Sequence, residues 1–158
     1  MTTATPEPAR ELSYEEERGK PTPSANHARI QIRLGAEFLQ HRQYDTYSEL
    51  SLRLGFRPLV PDLSVYPAGP MDLRHDETER TEPPLLVVEI LSPSQGPHSV
   101  MEKIDHYLAH GVKSCWLVTP PLREVTVFTP DGGQQSHHSG VVTEPATGIT
   151  ADLAAVFG

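Results

Sequence analysis

Apolar residues first recur at helical spacing in the proline-free window 25–43. There Ile30, Leu34 and Phe38 share a face flanked by Ala28, Gln31, Gly35 and Leu39. The pattern predicts an amphipathic helix with Ser24 as its N-cap. Residues 44–54 alternate loosely and suit a strand. Residues 59–66 read LVPDLSVY, with Leu63 and Val65 on one side and Asp62 and Ser64 on the other. Pro61 marks that strand as an edge or an irregular one. The best strand is 85–91, bounded by prolines and apolar on both faces except at Glu89, the pattern of a central strand covered on both sides. A helix is predicted over 99–110, with Val100, Ile104, Tyr107 and Leu108 as its core stripe and Gly111 closing it. Residues 113–118 and 123–128 predict two strands paired across the TPPL turn, and 151–157 a short helix. Residues 67–84 hold four prolines and mixed charges and read as a long mobile loop.

The order β–α–β–β–loop–β–α–β–β predicts an α/β or α+β fold with one mixed sheet flanked by helices. A chain of 158 residues has room for one such domain, taken here as 14–158 behind a flexible lead-in at 1–13. No apolar run reaches bilayer length and the first residues lack a secretory pattern, which predicts a cytoplasmic protein without a membrane partner. The single cysteine, Cys115, excludes a disulfide framework or a multi-cysteine metal site and reads as core.

The formal net charge of −8 would repel nucleic acid on average, so any such binding needs a local basic patch or bound cations. Arg29 and Arg33, with Arg42, offer the one basic strip, although a solvated helix face is the simpler reading. Against this background two acids stand out. Glu89 lies within the most hydrophobic strand, where an isolated charge costs several kcal/mol. Asp62 occupies a similar setting in its own strand. Two convergent carboxylates, completed by carbonyls and water, are how proteins hold Mg²⁺ or Mn²⁺. The bland alternative pairs Glu89 with an arginine and lets Asp62 cap a turn. Lys103, four residues before Tyr107, flanks the buried helical stripe and could reach toward Glu89, or simply snorkel to solvent. His106 and His110 share a helix face at i and i+4, a chelating spacing without an identifiable third ligand.

Several segments carry a resemblance. Tyr14-Glu15 with Gly19, SANHARIQ, VPDLSVY, VVEILSPS, Lys103 with Tyr107, and Gly111-Val112 before Trp116-Leu117-Val118 follow one another in a familiar order. The chain resembles the Uma-type family of bacterial restriction-endonuclease-like proteins, within the PD-(D/E)xK nuclease superfamily. The resemblance runs from about Tyr14 to Phe157. It implies a central mixed sheet, Mg²⁺ or Mn²⁺ as cofactor, and hydrolysis of nucleic-acid phosphodiester bonds, with DNA as the expected substrate. By position, Asp62 is the PD aspartate, Glu89 the second acid and metal ligand beside it, and Lys103 the lysine displaced onto the following helix, since Leu91 stands at the usual position. Glu15, His27 and Tyr107 match further positions of the family pattern. Ser99 departs from it, standing where the family usually has an aspartate. The rival reading is a catalytically inactive nuclease fold serving as an interaction module or homodimer, with the strand at 123–128 as a candidate dimer edge.

Overall fold

The computed structural model describes Lys20 and residues 22–158. Helix α1 (Ala25–Leu39) starts where Ser24 Oγ accepts the amide of His27 at 3.2 Å. Its buried stripe is His27, Ile30, Leu34 and Phe38, so Ala28 and Leu39 of the predicted flank face outward. The helix stops short of residue 43 because the chain turns at His41, whose ring lies 3.0 Å from Thr150 Oγ1.

The predicted strand at 44–54 divides into β1 (Tyr44–Ser48) and β2 (Ser51–Leu54), which enter different sheets. The break is at Glu49, whose φ of 52° lies in the left-handed region and ends regular pairing. β3 (Arg57–Leu59) returns against β2, and β4 (Leu63–Pro67) follows. The 67–84 segment is less loose than its composition suggests. It carries a two-residue strand, β5 (Glu79–Arg80), parallel to β2. Arg80 holds it by lying over the Tyr47 and Tyr66 rings, 4.5 and 4.6 Å from their centroids.

β6 (Leu86–Ile90) is the central strand its sequence predicted, buried throughout. Helix α2 (Pro97–Ala109) begins two residues earlier than expected, with Gly96 as N-cap and Pro97 in its first turn, where a missing N–H costs nothing. It ends at Gly111, whose φ of 98° only glycine adopts cheaply. β7 (Ser114–Thr119) and β8 (Glu124–Phe128) are joined by a 3₁₀ turn, Pro120–Leu122. β9 (Gln134–His137), β10 (Val141–Thr143), β11 (Thr150–Asp152) and α3 (Leu153–Phe157) complete the chain.

The main sheet has the order β1-β4-β6-β7-β8-β9. Its only parallel pair is β6–β7, which α2 connects as a crossover. This is the mixed α+β arrangement expected. Two details differ from the sequence reading. β8 is interior, paired with both β7 and β9, so the edges are β1 and β9 and the 123–128 strand offers none. β4 lies between β1 and β6, and Pro61 precedes it instead of marking an edge.

One face of the sheet packs Leu63, Val65, Val88, Ile90 and Trp116 against Ile30, Leu34 and Phe38 of α1. The other packs Tyr66, Val87 and Cys115 against Val100, Ile104 and Tyr107 of α2, with Leu52, Leu54 and Leu59 of the small sheet. Both faces of β6 are therefore covered, and a carboxylate on it needs a partner.

Candidate functional site

The register of β4 against β6 sets Leu63 opposite Val88 and Ser64 opposite Val87. Asp62 lies just beyond the end of this ladder, bonded to the residues on either side of Glu89. The two amide bonds that close the seam both involve Asp62: its N–H donates to Val88 O at 3.1 Å, and its Oδ2 accepts the Ile90 amide at 2.7 Å. Both acids are buried, at 1% and 3% exposure.

Asp62 is densely held. Lys20 Nζ lies 2.5 Å and His27 Nε2 3.1 Å from its Oδ1. Its main-chain oxygen accepts from Gln31 Nε2 at 3.0 Å and from the Glu49 amide at 3.2 Å. Burial pushes the Asp62 carboxyl up, but the His27 hydrogen bond and the Lys20 and His27 charges outweigh it and leave its pKa lowered. Glu89 has a weaker setting: Oε1 accepts the Tyr107 hydroxyl at 2.9 Å. Burial and the Asp62 charge push Glu89 up to about 7, against the pull of Lys103, Lys20 and the Tyr107 hydrogen bond. Burial, and then the same carboxylate, raise the Tyr107 phenol well above its ordinary value.

The fold thus brings together Asp62, Glu89, His27 and Tyr107, with Lys103, half-buried on α2, close enough for its charge to act on Glu89. Glu15 lies outside the described residues. His106 and His110 are used otherwise: their rings stack at 4.1 Å, and His106 Nε2 sits 2.6 Å from Leu54 O, tying α2 to β2. Cys115 is buried core, and burial raises its thiol pKa far from reactivity. Glu89 has no arginine partner among the described residues, and Asp62 spans two strands instead of capping a turn.

Lys20 and Gln31 were not legible as site residues. Lys20 ends a charged stretch and looks solvated, yet it is 9% exposed and also lies 3.6 Å from Glu49 Oε1. Gln31 carried a faint signal, being a polar residue inside an apolar helical pattern.

The donor set suits a divalent cation of the Mg²⁺ kind, which is commonly held by one or two carboxylates and completes its shell with water and substrate oxygens. Among the described residues no three His, Cys, Asp or Glu side chains cluster as a closed metal cage. Two observations fit such an ion: two carboxylates are buried near enough for the Asp62 charge to act on Glu89, and the buried His27, bonded to Asp62, has its Nδ1 without a hydrogen-bond partner.

A six-stranded mixed sheet flanked by helices is the fold of a nuclease-fold protein. The family described as "Uma2: Putative restriction endonuclease" matches residues 3–154. The chain belongs to this family. Among solved structures it is similar to one described as "a putative nuclease belonging to DUF820" from Anabaena variabilis ATCC 29413. The TM-score is 0.73 and the identity 25%, with 87% of this chain and 83% of that chain covered. No curated protein matches the chain. No helix of the described residues is long and apolar enough to cross a membrane.

Proposed function

We propose that this protein is a divalent-metal-dependent endonuclease that hydrolyses phosphodiester bonds of DNA. The observation that carries the proposal is the burial of Asp62 beside the strand segment that holds Glu89, close enough for its charge to act on Glu89, where two carboxylates are costly unless a cation or a proton separates them. The family and the similar nuclease structure support the substrate class.

Asp62 and Glu89 are the residues that would hold Mg²⁺ or Mn²⁺. When bound, such an ion supplies Lewis-acid polarisation of a phosphoryl oxygen and a water acidified toward neutral pH. Tyr107 fixes the Glu89 carboxylate through its hydroxyl, and the Ile90 amide fixes that of Asp62. Lys103 places a positive charge beside Glu89, where it can orient the attacking water or offset charge developing on the phosphate. His27 positions Asp62 from the start of α1.

The test is cleavage of plasmid and single-stranded DNA by the purified protein in Mg²⁺ or Mn²⁺, beside Asp62→Asn. Metal-dependent cutting that the variant loses is the expected result. Equal background from both proteins overturns the proposal in favour of a fold retained as an interaction module.

A further inference from the structure

We infer that Arg29, Arg33 and Arg123 form an anchoring site for the sugar–phosphate backbone of the nucleic acid on which the Asp62–Glu89 site acts. This inference rests on the proposed nuclease reading and extends it to how an acidic protein holds a polyanion.

The three arginines converge on a cleft of about 380 Å³ between α1, the β7–β8 turn and α3. Arg29 and Arg33 lie four residues apart on α1, one turn and about 6 Å along its axis. Arg123 comes from a segment remote in sequence. Asn26, Pro120 and Gly158 complete the rim, and among the described residues no aspartate or glutamate side chain lines the cleft. In a chain with a net charge of −8, a cleft lined by three arginine side chains is a local reversal of the protein's overall field.

The arginines are also uncommitted. Arg53 and Arg80 are engaged by Glu79 and Glu77, whereas Arg29, Arg33 and Arg123 have no ion-pair partner among the described residues. Arg123 has a φ of 48°, a left-handed backbone that is uncommon outside glycine. The chain carries that residue at the rim of the cleft in a conformation glycine would adopt at lower cost.

A second cleft of about 670 Å³ shares Asn26 and Pro120 with the first and is lined by Leu91 and Ser92. Leu91 follows Glu89 by two residues along the same strand direction, about 7 Å away. The start of α1 therefore borders both clefts, and the second reaches the residues just after Glu89. Arg42, which the sequence grouped with Arg29 and Arg33, does not line this cleft.

The test is anisotropy of a labelled 20-residue DNA duplex and of its single strand, in Ca²⁺ across a KCl series. Wild type is compared with the triple variant Arg29→Gln, Arg33→Gln, Arg123→Gln, and with a charge-matched control, Arg42→Gln, Arg57→Gln, Arg74→Gln. Melting curves establish that both variants fold. The expected result is at least about a tenfold loss of affinity in the cleft variant, with the log–log salt slope reduced by about two to three, and a much smaller change in the control. Equal losses in the two variants, or no loss in the cleft variant, overturn the inference, as does wild type that binds neither DNA form. Cleavage by wild type in Mn²⁺ is scored separately. If the cleft variant loses binding while wild type cuts nothing, the anchoring site stands and the nuclease reading fails.

Discussion

Asp62 is bonded to the Val88 carbonyl and the Ile90 amide, the residues on either side of Glu89, and the fold drives the protonation of the two acids in opposite directions. Asp62 receives Lys20, His27 and the Ile90 amide and is kept ionised. Glu89 receives one phenol and the repulsion of Asp62, and its pKa rises to about 7. Paired acids pushed apart in this way are a common basis for divided roles in a reactive site.

This asymmetry gives a pH dependence with a definite sign. In the metal-free protein, between about pH 4.5 and 7, folded Glu89 keeps a proton that the unfolded chain has released. Stability therefore falls as pH rises through that window, by about 3 kcal/mol in total. Asp62 acts in reverse: its contribution is present above its unfolded pKa and is lost as pH falls through its lowered folded value. Glu89→Gln, melted in chelator, is expected to exceed wild type at pH 8 and to match it near pH 4.5. A stability difference that does not change with pH contradicts this account.

Lys20 holds the charge balance of Asp62 in the absence of a metal. Lys20→Met keeps the length of the side chain but leaves a buried carboxylate short of its closest cation. The cost of breaking such a pair is about 3 to 5 kcal/mol, or roughly 10 °C in Tm for a chain of this size. Mn²⁺ is expected to raise the Tm of the variant more than that of wild type, because it replaces the missing charge. Identical melts with and without Mn²⁺ argue against that role.

Tyr107→Phe removes the hydrogen bond to Glu89 at a cost of about 1 to 2 kcal/mol. Glu89 then titrates higher still, so the pH midpoint of Mn²⁺ binding is expected to move to more alkaline values. An unchanged midpoint shows that the phenol does not tune the carboxylate.

Glu144 provides a contrast, as a buried acid with a purely structural setting. It accepts from Ser114 Oγ and from the amides of Ala146 and Thr147, which lock the turn between β10 and β11. Glu144→Ala leaves the buried Ser114 hydroxyl unpaired and frees the turn amides, and is expected to cost about 1 to 3 kcal/mol. Its Mn²⁺ binding per folded molecule should equal that of wild type, measured by titration below the melting range.

Periodicity located β6, α2 and the buried stripe of α1, because each buries a whole face and the pattern reports burial. The two acids were legible for the same reason, as charges in apolar strands. The split at Glu49 was not, since a single left-handed residue leaves no mark on hydrophobic alternation. Nor was the interior position of β8, because its second neighbour, β9, is the polar strand Gln134–His137. Lys20 was hidden by its charged surroundings: its burial comes from contact with Asp62, 42 residues away. Arg123 joined Arg29 and Arg33 only through the fold, as tertiary proximity carries no local signal.

The central claim is that Asp62 and Glu89 act together as one cation-holding pair. The most direct measurement is a Mn²⁺ titration followed by electron paramagnetic resonance at pH 8, on wild type, Asp62→Asn and Glu89→Gln. The account predicts saturable binding by wild type and at least about a tenfold loss in each variant, more than 1.4 kcal/mol. Binding by both variants with wild-type affinity, or none by wild type, would contradict it.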